Sequence, residues 1–168
     1  MRFIISYIPI TCLLTLLTAC SGGGSHSELS IDSVSAQWLM DQISESEQPY
    51  VLLGFYQYGC PLCSEELPEL VALHKQKDAG IRVIIISINE EDKTDELPEF
   101  LAERGVDFPT YHLNPELANE FIQTRYSRWD GTAPLNLIFT KDGVLVEVTG
   151  MTDQKEVRLI VHEHQSFR

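Results

Sequence analysis

Cys60 and Cys63 stand in Gly59-Cys60-Pro61-Leu62-Cys63, between the apolar run Tyr50 to Tyr56 and a segment in which Leu67, Leu70, Val71 and His74 recur at i, i+3, i+4 and i+7. The run has the length of a strand and no polar alternation, as expected of a strand covered on both faces, and the recurrence marks a helix from about residue 61 to 77. The pair is therefore expected at the carboxyl end of a strand and the start of a helix. A cysteine attacks a disulfide only as its thiolate, and a helix N-terminus favours that form through unpaired backbone N–H groups and a positive dipole end. Cys60 is the expected N-cap, with Pro61 at the first helical position, where its missing N–H removes no hydrogen bond. Cys63, one turn inside, should be more shielded. Cys60 is thus the expected attacking thiol and Cys63 the thiol that resolves the mixed disulfide. A zinc half-site or an inert disulfide are the alternatives; a structural zinc takes four protein ligands, and the chain has no second C-x-x-C, so no metal is expected.

The rest of the composition narrows the use of these thiols. A chain of 168 residues with 43% apolar content is long enough for a one-domain core that needs no disulfide staple. Its formal charge of -13 does not suit a partner held through nucleic-acid phosphates. Residues 1–19 read as an export signal: Arg2, then an uncharged apolar stretch, then small residues. Leu17-Thr18-Ala19-Cys20 resembles the lipobox of bacterial lipoproteins, which implies cleavage before Cys20 and a lipid on its sulfur. Residues 20–32, with Ser21-Gly22-Gly23-Gly24-Ser25, read as a flexible linker. Of the four cysteines, Cys12 would leave with the signal and Cys20 would be capped, so Cys60 and Cys63 remain as the reactive pair. An exported domain with a spare C-x-x-C points to redox chemistry.

The elements that must position the pair occupy residues 33–168. Helical spacing is expected over about 33–45, 95–104, around Leu117, Phe121 and Ile122, and over about 152–164. Ile81 to Ile88 is a second buried strand, rich in β-branched residues, and Thr110 to Leu113 a short one. Asn89 to Glu96 reads as a solvated acidic loop, and Leu135 to Thr140 with Val144 to Thr149 as a hairpin around Asp142-Gly143. Strands alternating with helices give parallel neighbours and the hairpin adds antiparallel ones, so the expected fold is α/β, a central mixed sheet with helices on both faces.

The segment Phe55-Tyr56-Gln57-Tyr58-Gly59-Cys60-Pro61-Leu62-Cys63-Ser64-Glu65-Glu66-Leu67-Pro68-Glu69-Leu70 resembles the active-site segment of thioredoxin-fold, TlpA/ResA-like membrane-anchored thiol-disulfide oxidoreductases. Phe108-Pro109, Asn114-Pro115-Glu116, Gly131-Thr132-Ala133-Pro134 and Asp142-Gly143 extend the resemblance over roughly residues 33–165. It implies a thioredoxin-like fold and a disulfide reductase of the cell envelope that needs no cofactor beyond its own dithiol. Its implied partners are disulfide-containing envelope proteins and a membrane thiol electron donor, with the membrane reached through lipid on Cys20. By the same resemblance Pro134 is a cis-proline facing the disulfide, Ala133 offers its backbone to an extended substrate, Glu66 shuttles a proton to or from Cys63, and Pro68 is structural; a solvated helix glutamate is the plainer reading of Glu66.

Two features depart from that pattern. Gly59 stands where the family carries Trp, which leaves Tyr58 and Trp129 as the expected substrate-face aromatics. The stretch from Tyr126 to Pro134 is longer by about two residues. Among rival activities, a peroxidase of this fold carries Thr where this chain has Gln57, and a copper chaperone uses C-x-x-x-C with a distant histidine, for which His112, His162 and His164 are the candidates. A non-catalytic adaptor lipoprotein is the third alternative.

Overall fold

The computed structural model describes residues 29–167; the signal segment, Cys12, Cys20 and most of the linker lie outside them. Six strands and five α-helices follow in the order β1 (Ile31–Ser33), α1 (Ala36–Ser44), β2 (Tyr50–Tyr56), α2 (Pro61–Lys75), β3 (Ile81–Ser87), α3 (Leu97–Ala102), β4 (Thr110–His112), α4 (Pro115–Gln123), β5 (Leu135–Thr140), β6 (Gly143–Thr149) and α5 (Gln154–Ser166). They form one sheet of order β1-β4-β3-β2-β5-β6. The strands from β1 to β2 are paired in parallel, and β5 joins β2 and β6 antiparallel. This is the expected mixed sheet, in a thioredoxin-like fold.

Alternation along the central strands divides the core in two. Leu52 and Tyr56 of β2, Val83 and Ile85 of β3 and Ile138 of β5 meet Leu67, Leu70 and Val71 of α2, Leu101 of α3 and Val157 of α5. Val51, Leu53 and Phe55 with Ile84, Ile86, Leu137 and Phe139 turn the other way, onto Leu39 and Ile43 of α1 and Phe121 and Ile122 of α4. Because both faces of β2 are covered, its seven residues are all buried, which explains the uninterrupted apolar run. Gly54 breaks the bulk of that run. A Cβ there would lie 2.9 Å from Leu70 Cδ1 and 3.1 Å from Asn136 Oδ1, so the glycine admits both α2 and a polar side chain from β5.

The folded region starts earlier than expected. Ile31–Ser33 pairs with Thr110–His112 and Val34 N–H donates to His112 O at 2.8 Å, so β1 occupies the end of the stretch read as a linker. Its three residues are largely exposed at the sheet edge, and too short a segment carries no readable alternation. Helix α1 accordingly begins at Ala36, behind Ser35, whose Oγ accepts from Trp38 N–H at 3.1 Å. In the acidic stretch, Glu91–Glu96 winds into a 3-10 helix that leads into α3.

Candidate active site

The turn after β2 is narrow. Cys60 N–H donates to Gln57 O at 3.3 Å, and Gly59 takes φ 80°, a region in which glycine is favoured. Here the position that the resemblance assigns to Trp is a turn residue, and its backbone accounts for the departure. Tyr58 N–H donates to Asn89 Oδ1 at 2.9 Å; the same oxygen accepts from Ser87 Oγ at 2.9 Å. His112 Nε2 donates to Asn89 O at 2.9 Å. The loop before Cys60 is thus fastened to the ends of β3 and β4.

Cys60 caps α2. Its backbone is extended (φ -85°, ψ 114°), Pro61 opens the helix, and Sγ accepts from Cys63 N–H at 3.1 Å. The two sulfurs form a disulfide with the Cα atoms 5.3 Å apart. Their environments differ sharply: Cys63 is 0% exposed, whereas Cys60 is only partly buried and is followed by Leu62 at 46%. The Ala133–Pro134 peptide is cis, and Ala133 O lies 3.5 Å from Cys60 Sγ, within reach of an S–H once the pair is reduced. Gly150 N–H donates to Pro134 O at 2.9 Å and holds this loop to the end of β6.

Glu66 lies one turn beyond Cys63 on the same helix. It is 2% exposed, so it is not the solvated glutamate of the plainer reading. Thr152 N–H and Asn136 Nδ2 both donate to its Oε1, each at 2.7 Å. Burial pushes its carboxyl up from 4.5 to about 7, against the opposing effect of those two donors. A carboxyl with a proton affinity near neutrality, next to a buried thiol, is suited to moving a proton.

The two aromatic candidates separate. Tyr58 is 38% exposed beside the disulfide and meets the Phe100 ring edge-on at 5.4 Å. Arg104 lies over the other part of this arrangement, 3.8 Å from the Phe100 centroid, with Nε donating to Ser64 Oγ at 2.5 Å, and so ties α3 to the first turns of α2. Trp129 corrects the expectation. It is 6% exposed and packs with the α1 and α4 side of the core, while Nε1–H donates to Thr132 O at 2.8 Å. An indole whose N–H is satisfied within its own loop is more stable inside than on the surface. The extra length of the 126–134 stretch therefore supplies core, not a substrate-facing ring.

Two of the three histidines weighed as copper ligands are engaged elsewhere: His112 with Asn89, and His164 Nδ1 with Tyr50 OH at 2.9 Å. Three residues of the site went unread in the sequence, namely Asn89, Asn136 and Thr152. Asn136 left one trace, as the polar residue inside the covered run Leu135-Asn136-Leu137-Ile138-Phe139.

A disulfide-bonded cysteine pair at a helix start, beside a cis-proline and on this sheet, has counterparts among known proteins. The model of the AhpC/TSA family matches residues 35–148. The chain belongs to the AhpC/TSA family. This AhpC/TSA chain is also 25% identical over 116 residues to thiol-disulfide oxidoreductase ResA of Halalkalibacterium halodurans, over 67% of its own length. It spans 61% of the length of that relative. Among solved structures it is similar to a thioredoxin-related protein from Neisseria meningitidis serogroup B, with TM-score 0.60 at 20% identity, covering 72% of this chain and 88% of the other. The thioredoxin domain of a thiol-disulfide oxidoreductase from Bacteroides vulgatus matches with TM-score 0.56 at 18% identity, over 75% and 83%. At such identities the structural matches establish the thioredoxin-like fold of this AhpC/TSA member.

Proposed function

We propose that the protein is a thiol-disulfide oxidoreductase that reduces disulfides of other proteins in the bacterial cell envelope. The observation that carries this reading is the asymmetry of the pair: Cys60 partly open at a capped helix start, Cys63 fully buried behind it. In the reduced protein the Cys60 thiolate attacks one sulfur of a partner disulfide. A Cys60–partner bond forms, the partner's S–S bond breaks, and its departing thiolate takes a proton from water. Cys63 then gives its proton to Glu66 and attacks Cys60 Sγ, which expels the second partner thiolate and closes the Cys60–Cys63 disulfide. Two electrons have passed to the partner, and an envelope dithiol donor restores the pair by the same steps in reverse. Ala133 and Pro134 present backbone to an extended partner segment beside Cys60, and Tyr58 offers an exposed ring on the same side. The relative named thiol-disulfide oxidoreductase ResA supports the same activity.

Placement in the envelope rests on residues 1–20: export by the signal segment and anchoring through lipid on Cys20. The Gly/Ser stretch after Cys20 serves as a tether that lets the domain meet large partners.

The full chain in detergent is expected to reduce a model protein disulfide. Cys60→Ser abolishes the reaction and Cys63→Ser accumulates a partner-linked mixed disulfide; full activity in Cys60→Ser would overturn the reading. For the anchor, Cys20→Ala is expected to release the protein from membranes, and retention there would count against lipidation.

A further inference from the structure

Asn136 occupies a position that stability alone does not explain. It is fully buried in β5, in register with Gly54 of β2, between apolar neighbours Leu135 and Leu137. Its Nδ2 reaches Glu66 Oε1 at 2.7 Å and Thr152 Oγ1 at 3.4 Å, while among the described residues no donor reaches its Oδ1. A buried amide with an unpartnered oxygen is unfavourable by itself, so an apolar residue would stabilise the strand more. Gly54 gives up its own side chain beside that oxygen, since a Cβ there would approach Asn136 Oδ1 to 3.1 Å. Two central strands thus accommodate one amide whose short contact is with a carboxyl.

The direction of that contact is informative. Asn136 Nδ2 and Thr152 N–H both end on Oε1, and neither touches Oε2. Two donors on one oxygen fix the plane of the carboxyl and fill Oε1, so Oε2 is the oxygen left to exchange a proton. We infer that Asn136 is a positioning residue for the resolving step, holding Glu66 by Oε1 so that Oε2 carries the proton exchanged with Cys63. The inference rests on the oxidoreductase reading above. In the step it serves, the Cys63 S–H bond breaks, an O–H bond forms at Oε2, and the electron pair left on sulfur attacks Cys60 Sγ. A donated N–H favours the carboxylate over the acid. Burial acts in the opposite direction, and among the described residues no charged side chain is among the groups that set this carboxyl's proton affinity. The titratable groups nearest to it along its face of α2 are the Cys63 thiol one turn back and Glu69 one turn on, and Glu69 Oε2 is turned to Gln154 N–H and Nε2.

The test is a carboxyl titration followed by NMR in the reduced full chain, with glutamate carboxyl carbons labelled and the Glu66 signal assigned through Glu66→Gln. Asn136→Ala removes the donor and is expected to make Glu66 bind its proton about tenfold more tightly, shifting its titration upward by about one pH unit. Asn136→Thr, which keeps a hydroxyl donor and suits a strand, is expected to return it toward the wild-type position. Gly54→Ala leaves Asn136 in the chain but presses on Oδ1, and should shift the titration in the same direction as Asn136→Ala. The resolving rate, measured from a preformed Cys60 mixed disulfide, should follow these shifts in its pH profile, while the attack of Cys60 on the partner does not. A Glu66 titration unchanged in folded Asn136→Ala or Gly54→Ala overturns the inference. If instead Glu66 titrates as expected but Glu66→Gln resolves mixed disulfides at the wild-type rate at every pH, proton exchange through Glu66 is overturned and the positioning role in resolution falls with it, while the oxidoreductase reading itself is untouched as long as Cys60→Ser is inactive.

Discussion

The backbone N–H of Tyr58 is held by the side-chain oxygen of Asn89, 2.9 Å away and 31 residues later in the chain. This bond crosses from the end of β3 to the turn that delivers Cys60, and Asn89 is itself buried and bonded to Ser87 and His112. Asn89→Ala leaves the Tyr58 N–H and the Ser87 hydroxyl without their acceptor, and a loss of about 1–3 kcal/mol is expected in urea unfolding. The reaction of Cys60 with a small disulfide should slow as well. An Asn89→Ala protein with wild-type stability and rate would show that the turn holds itself.

Glu66 makes stability depend on pH in a defined window. Its carboxyl is raised from 4.5 to about 7, so between these values the folded protein keeps a proton that the unfolded chain has released. The contribution of this group is full below about pH 4.5 and is lost as pH rises to about 7, with an upper magnitude of roughly 3 kcal/mol. Glu66→Gln is neutral throughout and keeps an oxygen for the Thr152 and Asn136 donors. The variant should therefore gain stability relative to wild type across this window and hold a constant advantage above it. A difference that stays flat with pH argues against a raised carboxyl.

Gly59 should resist replacement for a backbone reason. Space is open around its position, but its φ of 80° is one that other residues rarely adopt. Gly59→Ala and Gly59→Trp are both expected to lose about 1–2 kcal/mol in chemical denaturation. Equal stability of Gly59→Trp would mean that the turn can be rebuilt around a side chain.

Trp129 is expected to act on stability, with little effect on the choice of partner. Trp129→Ala removes a large buried ring and should cost about 3–5 kcal/mol. Trp129→Phe keeps most of the packing but leaves Thr132 O without its 2.8 Å donor, for a loss of about 1 kcal/mol. Relative rates with two different protein disulfides should not change in Trp129→Phe; a change in their ratio would return this residue to the partner-facing surface.

The parts of this molecule that could be read from its sequence are those whose signal is local and repeated. Strands β2 and β3 and helix α2 announce themselves by run or periodicity, and Cys60, Pro61 and Cys63 follow from the junction between them. Elements defined by a distant partner could not be read in this way. β1 is a strand only because β4 lies beside it, and Asn89 reads as the first residue of a charged loop because its acceptor role depends on a backbone group in the distant turn after β2. Glu66 was ambiguous for the same reason. Its burial is produced by Asn136 and Thr152, 70 and 86 residues away. Trp129 was misplaced because an aromatic in a loop near a presumed site looks like a binding residue until its N–H is found to be satisfied from within.

Full burial of Cys63 has a kinetic meaning beyond the order of attack. In the cycle proposed above, with only Cys60 open to approach, the protein that supplies electrons and the protein that receives them must use the same sulfur. The two cannot be bound together, and each cycle must pass through a free oxidised or a free reduced enzyme between visits. Turnover then has the double-displacement form, in which a high concentration of either partner competes with the other for one doorway.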